Sequence, residues 1–534
     1  MVSKRGMSRR AARGFFLLSS VSSVVALAIL ILTVACSSVK PRPSTSDTSS
    51  PARLASADAL VRAGCADCLL DAYKEYDALR PISAVADAAT AGAIRAAALL
   101  AIRERELGTE DTGYLKRARD LLAGTGLPLQ EALTPLLDIA DALPTRGAVR
   151  QFGDDVELAR MQAAYRNREG WSAQLRAHAD DDPLSAYLWL GFNCAYVPTA
   201  ERAVEEWRKQ LPVWRETALI AFKAATCGVG GGTATLVHLL EGDPRFLEIN
   251  YFLAMNAAFG GHIDDAIDRL QRAYAWRPRW PAVTNSLAND YIAIEEFDPA
   301  VDFFDRTLAL APNFADARLG KARALTYAGR HEDALTTIDQ LLALGRWLIG
   351  DARYWRALNE AQLGRNEEAW SDIELAAKLL VNAEVPKLAG IVAYRLKQID
   401  VSRAKFEESW QRNRLDCETG YYLGIVLGEQ GAWPRTADVL VETDRCLQQA
   451  ERNLTAEIAT FRTSTDRLER RERQIAKREQ QIATGRRMMA TSWFNLAVAY
   501  YNLSRKDDAR QYAEKVSSDE QFGDRARDLL ARLR

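Results

Sequence analysis

Apolar and small residues return along the second half of this chain with a 34-residue beat. Leu253-Ala254, Ala266, Leu270 and Pro278 are followed by Leu287-Ala288, Tyr291, Ala300, Phe304 and Pro312; Leu253, Ala254, Ala266 and Pro278 recur identically 34 positions on. A period of this length predicts pairs of helices that bury a core only by stacking on their neighbours. Small residues such as Ala288 and Ala300 belong where two helices cross closely, and Tyr291 and Phe304 fill the space beside the crossing. Gly329, Gly364 and Gly431 fall between the two helices of a pair, where a positive φ or the lack of a side chain is useful. Pro278 and Pro312 close one pair and start the next.

Copies start near 247, 281, 315, 350, 383 and 417, with another near 490. The last carries Trp493, Leu496, Ala497, Tyr500, Ala509 and Ala513; the 417 copy carries Leu423-Gly424, Leu427, Gly431 and Leu440; the 315 copy carries Ala322, Leu325, Gly329, Ala334 and Ile338. This order resembles the tetratricopeptide repeat. The resemblance implies an all-α fold, a right-handed solenoid of antiparallel helix pairs (247–450, with a last pair and capping helix over 490–534). Residues 51–246 read as helical but irregular, a degenerate half of the same architecture. Ala57, Leu60, Gly64, Leu69, Tyr73, Tyr76 and Pro81 suit a worn first pair, and 93–106 with 115–123 suit another. Helices are also expected over 184–195, 200–210 and 214–225, with Gly228 to Thr233 as a hinge or tight turn.

Residues 451–489 interrupt the beat with a polar, charged helical insert. Its apolar residues fall seven apart at Leu440, Leu447, Leu454, Phe461, Leu468, Ile475 and Ile482, but the partner heptad position turns polar. Two readings fit: one long projecting arm, or a hairpin broken at Thr463-Ser464-Thr465-Asp466, which are poor helix formers and good N-caps. A hairpin would keep the stack in step and is preferred.

Composition fits a folded body, with 48% hydrophobic and 26% charged residues. Five bases, Lys4, Arg5, Arg9, Arg10 and Arg13, precede an apolar run from Phe15 to Ala35 that ends Thr33-Val34-Ala35-Cys36. That is the pattern of a secretory signal. It resembles a bacterial lipoprotein signal over 1–36, which implies lipidation of Cys36 and, with Ser37 following, an outer-membrane address facing the periplasm. An uncleaved membrane anchor is the alternative reading. Residues 37–50, rich in Ser, Pro and Thr, read as a linker. Without the first 35 residues the 70 bases fall by five to 65, against 71 acids, so the balance gives no reason to expect nucleic acid.

Candidate chemistry is sparse. Hydrolase and metalloprotease motifs are absent, and the glycine run lacks the lysine of a phosphate loop. Neither a cofactor nor a catalytic residue is expected. Cys65 and Cys68 form a C-x-x-C that suits a local disulfide, a buried thiol pair, or redox or metal chemistry; Cys194, Cys227, Cys417 and Cys446 are scattered. The family resemblance places binding on the first helix of each pair. Its outward positions here include Tyr251, Phe259, Asn285, Asn289, Arg323, Tyr327, Tyr354, Tyr394, Arg395 and Tyr421. Tyrosine and arginine suit protein recognition, although some of these tyrosines are expected to pack between neighbours. The Lys/Asn/Arg pattern that clamps a peptide carboxylate in chaperone-binding members is not reproduced. The expectation is a tethered scaffold for protein partners in the bacterial envelope. A saccharide-binding uptake lipoprotein, with Trp276, Trp280, Trp347 and Trp355 as platform, and an envelope enzyme are the alternatives.

Overall fold

The computed structural model describes residues 49–143, 155–196, 201–227, 232–464 and 468–533. Cys36, the signal segment, nearly all of the linker and four of the six residues Gly228 to Thr233 lie outside them. Among the described residues the chain is helical, with no strand. The irregular half runs α1 (Ser50–Ala63), α2 (Ala66–Leu79), α3 (Ala86–Leu107), α4 (Tyr114–Ala123), α5 (Leu127–Ala142), α6 (Asp155–His178), α7 (Pro183–Tyr196), α8 (Glu201–Lys209), α9 (Ala218–Ala225) and α10 (Thr233–Gly242). The regular pairs follow: α11 (Ile249–Phe259) with α12 (Ile263–Trp276), α13 (Pro281–Ala293) with α14 (Phe297–Leu310), and α15 (Ala315–Tyr327) with α16 (His331–Ala343). Then come α17 (Ile349–Gln362) with α18 (Asn366–Ala376), α19 (Glu384–Arg395) with α20 (Ile399–Arg412), and α21 (Cys417–Glu429) with α22 (Trp433–Thr463). Finally α23 (Leu468–Asn502) packs on α24 (Lys506–Lys515), and α25 (Gly523–Arg532) covers the end.

The landmarks of the 34-residue beat are the packing core. Ala254, Ala288, Ala322 and Ala357 on the first helices are fully buried, as are Ala266, Ala300, Ala334 and Ala369 on the second. At the 383 copy Gly390 takes the first place, and a Cβ there would lie 2.7 Å from the Phe406 ring, inside any real contact distance. Ser402 takes the second place and is tolerated because its hydroxyl donates to the Gly390 carbonyl at 2.8 Å. Similarly, Thr307 donates to Thr284 at 2.8 Å within the 281 pair. Small polar residues thus serve where a crossing is tight, provided each finds its partner.

The turn within each pair is one structure seven times over. Gly261, Glu295, Gly329, Gly364, Lys397, Gly431 and Ser504 occupy the same place in their copies, all with φ between 60° and 81°. The next residue donates its N–H back into the ending helix, as from His262 to Ala257 at 2.8 Å and from Glu296 to Tyr291 at 2.8 Å. This is the Schellman cap, whose left-handed residue is easiest as glycine. Three copies nevertheless carry a side chain there.

The first half departs from an open stack. One continuous core runs from Ala57 to Cys227, and α9 packs back onto α1. The centre is α3, where a run of alanines with Ile94, Leu99, Leu100 and Ile102 leaves almost every side buried. A helix apolar on all sides is a hub that neighbours surround, so this half closes into a bundle. It joins the array through buried charge. Arg103 donates to Glu248 at 2.6 Å and to the Gly64 carbonyl at 3.1 Å, and lies 4.0 Å over the Phe222 ring. Glu248 also accepts the Ala66 N–H at 2.8 Å. Trp280 is fully buried and donates to the Leu107 carbonyl at 2.7 Å.

Residues 451–489 are not a separate unit. The second helix of the 417 pair runs on to Thr463, and the first helix of the last pair begins at Leu468, so both lengthen into one antiparallel hairpin. Helix ends at Ser464, within the run of poor helix formers, while positions 451 and 489 lie mid-helix where nothing interrupts the backbone. The even seven-residue spacing does not make a continuous helix, and Leu468 is exposed.

These contacts set opposite expectations for two glycines. Gly390→Val should lower the unfolding free energy by about 1–3 kcal/mol through overpacking against Phe406. Gly485→Ala, mid-helix with open space around its Cβ, should raise it by up to about 1 kcal/mol. Denaturant melts of the two variants measure both.

Candidate partner-binding groove

The first helices of the pairs present one face in series. On α11, Phe259 is 98% exposed at the helix end and Met255, one turn earlier, is also exposed. Tyr251 is half-buried, its ring 4.9 Å from that of Trp280 in the next copy. On α13, Asn289 is exposed and donates to the carbonyl of the half-buried Asn285 at 2.8 Å.

The middle of the face holds an aromatic cluster. Tyr327, 48% exposed, tilts over Phe297 and meets Trp355 edge-on, each at 5.6 Å between ring centres. Tyr354 lies 5.7 Å from Trp355, and the Arg323 guanidinium sits 5.7 Å from the Trp355 ring centre. Tyr327 and Trp355 meet, 28 positions apart, because α15 and α17 are the first helices of adjacent copies and lie side by side. Arg323, Tyr327 and Tyr354 are therefore brought together. The groove positions read from the pattern did not include Trp355 and Phe297, which hold them, because neither stands one repeat from Arg323 or Tyr327.

Further along, the side chains turn to neighbours instead. Tyr394 donates to Glu429 at 2.6 Å, which together with burial pushes its hydroxyl up to about 12. Arg395 donates to the Ala361 carbonyl at 2.5 Å. Both tie one copy to the next. Tyr421 is half-buried beside Tyr422.

The four tryptophans of the saccharide alternative do not gather in one place. Trp280 is in the core, and Trp276 donates to Asp67 at 3.0 Å across the junction with the first half. Trp347 and Trp355, both partly buried, pack against the core between the 315 and 350 copies. Sugar stacking needs an open ring face, which the buried Trp280 lacks.

All six described cysteines are paired: Cys65 with Cys68, Cys194 with Cys227, and Cys417 with Cys446, at Cα separations of 4.8, 5.3 and 5.5 Å. The last four are far from scattered in space. Asp243 approaches Cys68 at 3.7 Å, so three metal-type donors converge, but sulfurs joined to each other offer no thiolate to an ion.

Two carboxyls beside this face escaped the sequence reading. Asp290 on α13 is nearly buried with an unpartnered Oδ2, and desolvation pushes it up to about 7. Glu360 on α17 is raised to about 7 by desolvation and then by Asp372, although Arg356 opposes the shift. Since the folded value exceeds the unfolded one, each group's contribution to stability is full below about pH 4 and is lost as pH rises through about 7. Asp290→Asn should therefore raise the thermal midpoint at pH 8 by several degrees more than at pH 5, as thermal melts at the two values would record.

Residues 291–361 match the family model described as tetratricopeptide repeat. No curated protein matches the chain. Among solved structures, a thermophilic repeat protein of Thermus thermophilus is 17% identical, covering 34% of this chain and 98% of its own, with a TM-score of 0.29. PilW, a type IV pilus biogenesis factor, is 17% identical over 41% of this chain and 95% of its own, with a TM-score of 0.34. A tetratricopeptide repeat protein from Parabacteroides merdae is 15% identical over 54% of this chain and 98% of its own, with a TM-score of 0.33. The matched segment takes in the left-handed turns at Glu295 and Gly329 and the crossings at Ala300, Ala322 and Ala334, and over residues 291–361 the chain is built of tetratricopeptide repeats.

Proposed function

We propose that this protein is a scaffold that binds a protein partner along the first-helix face of residues 247–450, tethered through a lipid on Cys36 to the bacterial envelope, at the outer membrane facing the periplasm. The observation that carries the binding reading is the half-exposed cluster of Arg323, Tyr327, Tyr354 and Trp355. Rings held from behind lose little freedom when a partner covers them, and an arginine stacked on a ring keeps its donors free to point outward. Phe259 adds an apolar knob one array-end away. Support for the address comes from the export-like N-terminus and from the cysteine pairs, which suit an oxidising compartment.

Crosslinking in membranes followed by pull-down tests the face. Arg323→Ala/Tyr327→Ala should weaken recovery of a specific partner by about tenfold to a hundredfold, as expected for two anchors; unchanged recovery counts against the groove. Fractionation tests the tether. Cys36→Ser should leave the chain unlipidated and change its membrane association, whereas a variant that pellets and migrates like the parent favours an uncleaved anchor.

A further inference from the structure

The hairpin of α22 and α23 extends well past the repeats it belongs to, and its far part returns to the start of the array. Arg478 lies 3.3 Å and Lys477 2.7 Å from the Glu295 carboxylate. Arg473 lies 2.8 Å from Glu296, and Arg470 pairs with Asp264 and lies 3.5 Å from Glu296. Between these charges Gln474, 8% exposed, donates to the Ile294 carbonyl at 3.1 Å. Positions 470, 473, 474, 477 and 478 form one helical stripe. Its partners sit at the turns of the first two copies, some 180 residues earlier.

Two further features bear on this contact. Glu295 holds a left-handed turn without being glycine, as Lys397 and Ser504 also do, and so offers a carboxylate at a place where glycine would offer none. The other end of the hairpin is pinned. Cys446 on α22 is bonded to Cys417 on α21, and Trp493 on α23 donates to Asp444 at 2.9 Å. On this helix of 35 residues the latch positions 470 to 478 and the tie at Trp493 are roughly 22 to 35 Å apart, and that span joins the 247 and 281 copies to the 417 copy. The 315, 350 and 383 copies lie between these ties. The rod passes the start of α21, where Leu415 and Glu418 share a cleft with Gln481 and Gly485, and ends at the far turns of the first two pairs, so it crosses from one end of the first helices to the other.

We propose that this hairpin is a strap that closes the array over the wall carrying Arg323, Tyr327 and Tyr354, latched by the 470–478 stripe on Asp264, Glu295 and Glu296. The inference rests on the groove reading for its purpose, but the latch can be measured without a partner. Its pairs are partly exposed, so salt screens them and the latch is reversible. Entry of a partner onto the middle copies then requires threading beside the strap or opening it.

Hydrogen exchange on the full chain tests this. At low salt the amides of 468–480 should be protected. Glu295→Arg/Glu296→Arg, or salt at about 0.5 M, should speed their exchange roughly tenfold or more. Adding Arg473→Glu/Lys477→Glu/Arg478→Glu to the first pair should restore slow exchange. Glu295→Gly should likewise loosen the strap while keeping or raising the thermal midpoint, since glycine suits the turn, which separates unlatching from misfolding. Exchange unchanged by both reversal and salt overturns the strap, and failure of the swapped variant to recover overturns the ionic latch. Neither result depends on whether Arg323→Ala/Tyr327→Ala affects partner recovery.

Discussion

Everything regular in this protein follows from how closely two helix backbones can approach. Where Ala288 faces the crossing with the helix carrying Ala300, only methyl groups stand between the backbones, and the Phe304 ring fills the space left beside them. Where Gly390 stands, Phe406 lies against the backbone itself. Each crossing needs only its neighbours, so the array has a string of small cores in place of one large one. The same repetition lines up the first helices, which is why Tyr327 and Trp355 come from different copies and still touch.

The junction between the halves is held in another way. Arg103 and Glu248 are both buried, and between them they engage a carbonyl, a backbone N–H and an aromatic face. Buried charge is costly when left alone, so such a node permits few alternative arrangements. The bundle therefore meets the array at a defined angle, with Trp276 and Trp280 drawn into the joint.

The array was legible because its rules are local. The crossing residues are fully buried, and Gly329, Gly364 and Gly431 take the left-handed turn expected of them. The first half was less legible: α3 is apolar on nearly every side, so its pattern shows no face and does not reveal that neighbours surround it. The pairing of Cys194 with Cys227 and of Cys417 with Cys446 was hidden for a related reason, since it depends on which helices lie side by side. Groove positions could be enumerated, but not sorted. Tyr327 stays half-exposed, whereas Tyr394 and Arg395 act as struts because Glu429 and the Ala361 carbonyl happen to lie within reach.

The charged segment shows where the boundary lies. Thr463 and Ser464, poor helix formers, stand where the helix ends. That the second of the resulting helices lies against Glu295 and Glu296 was beyond any local pattern, because charge complementarity over some 180 residues depends on the path summed through every intervening crossing. The sequence by itself determined the helix pairs, their turns and their tight contacts, since each rests on residues a few positions or one repeat apart. Only the tertiary structure decided which cysteines meet, which aromatic rings stay open and what the arm touches, because those follow from the path of the whole chain.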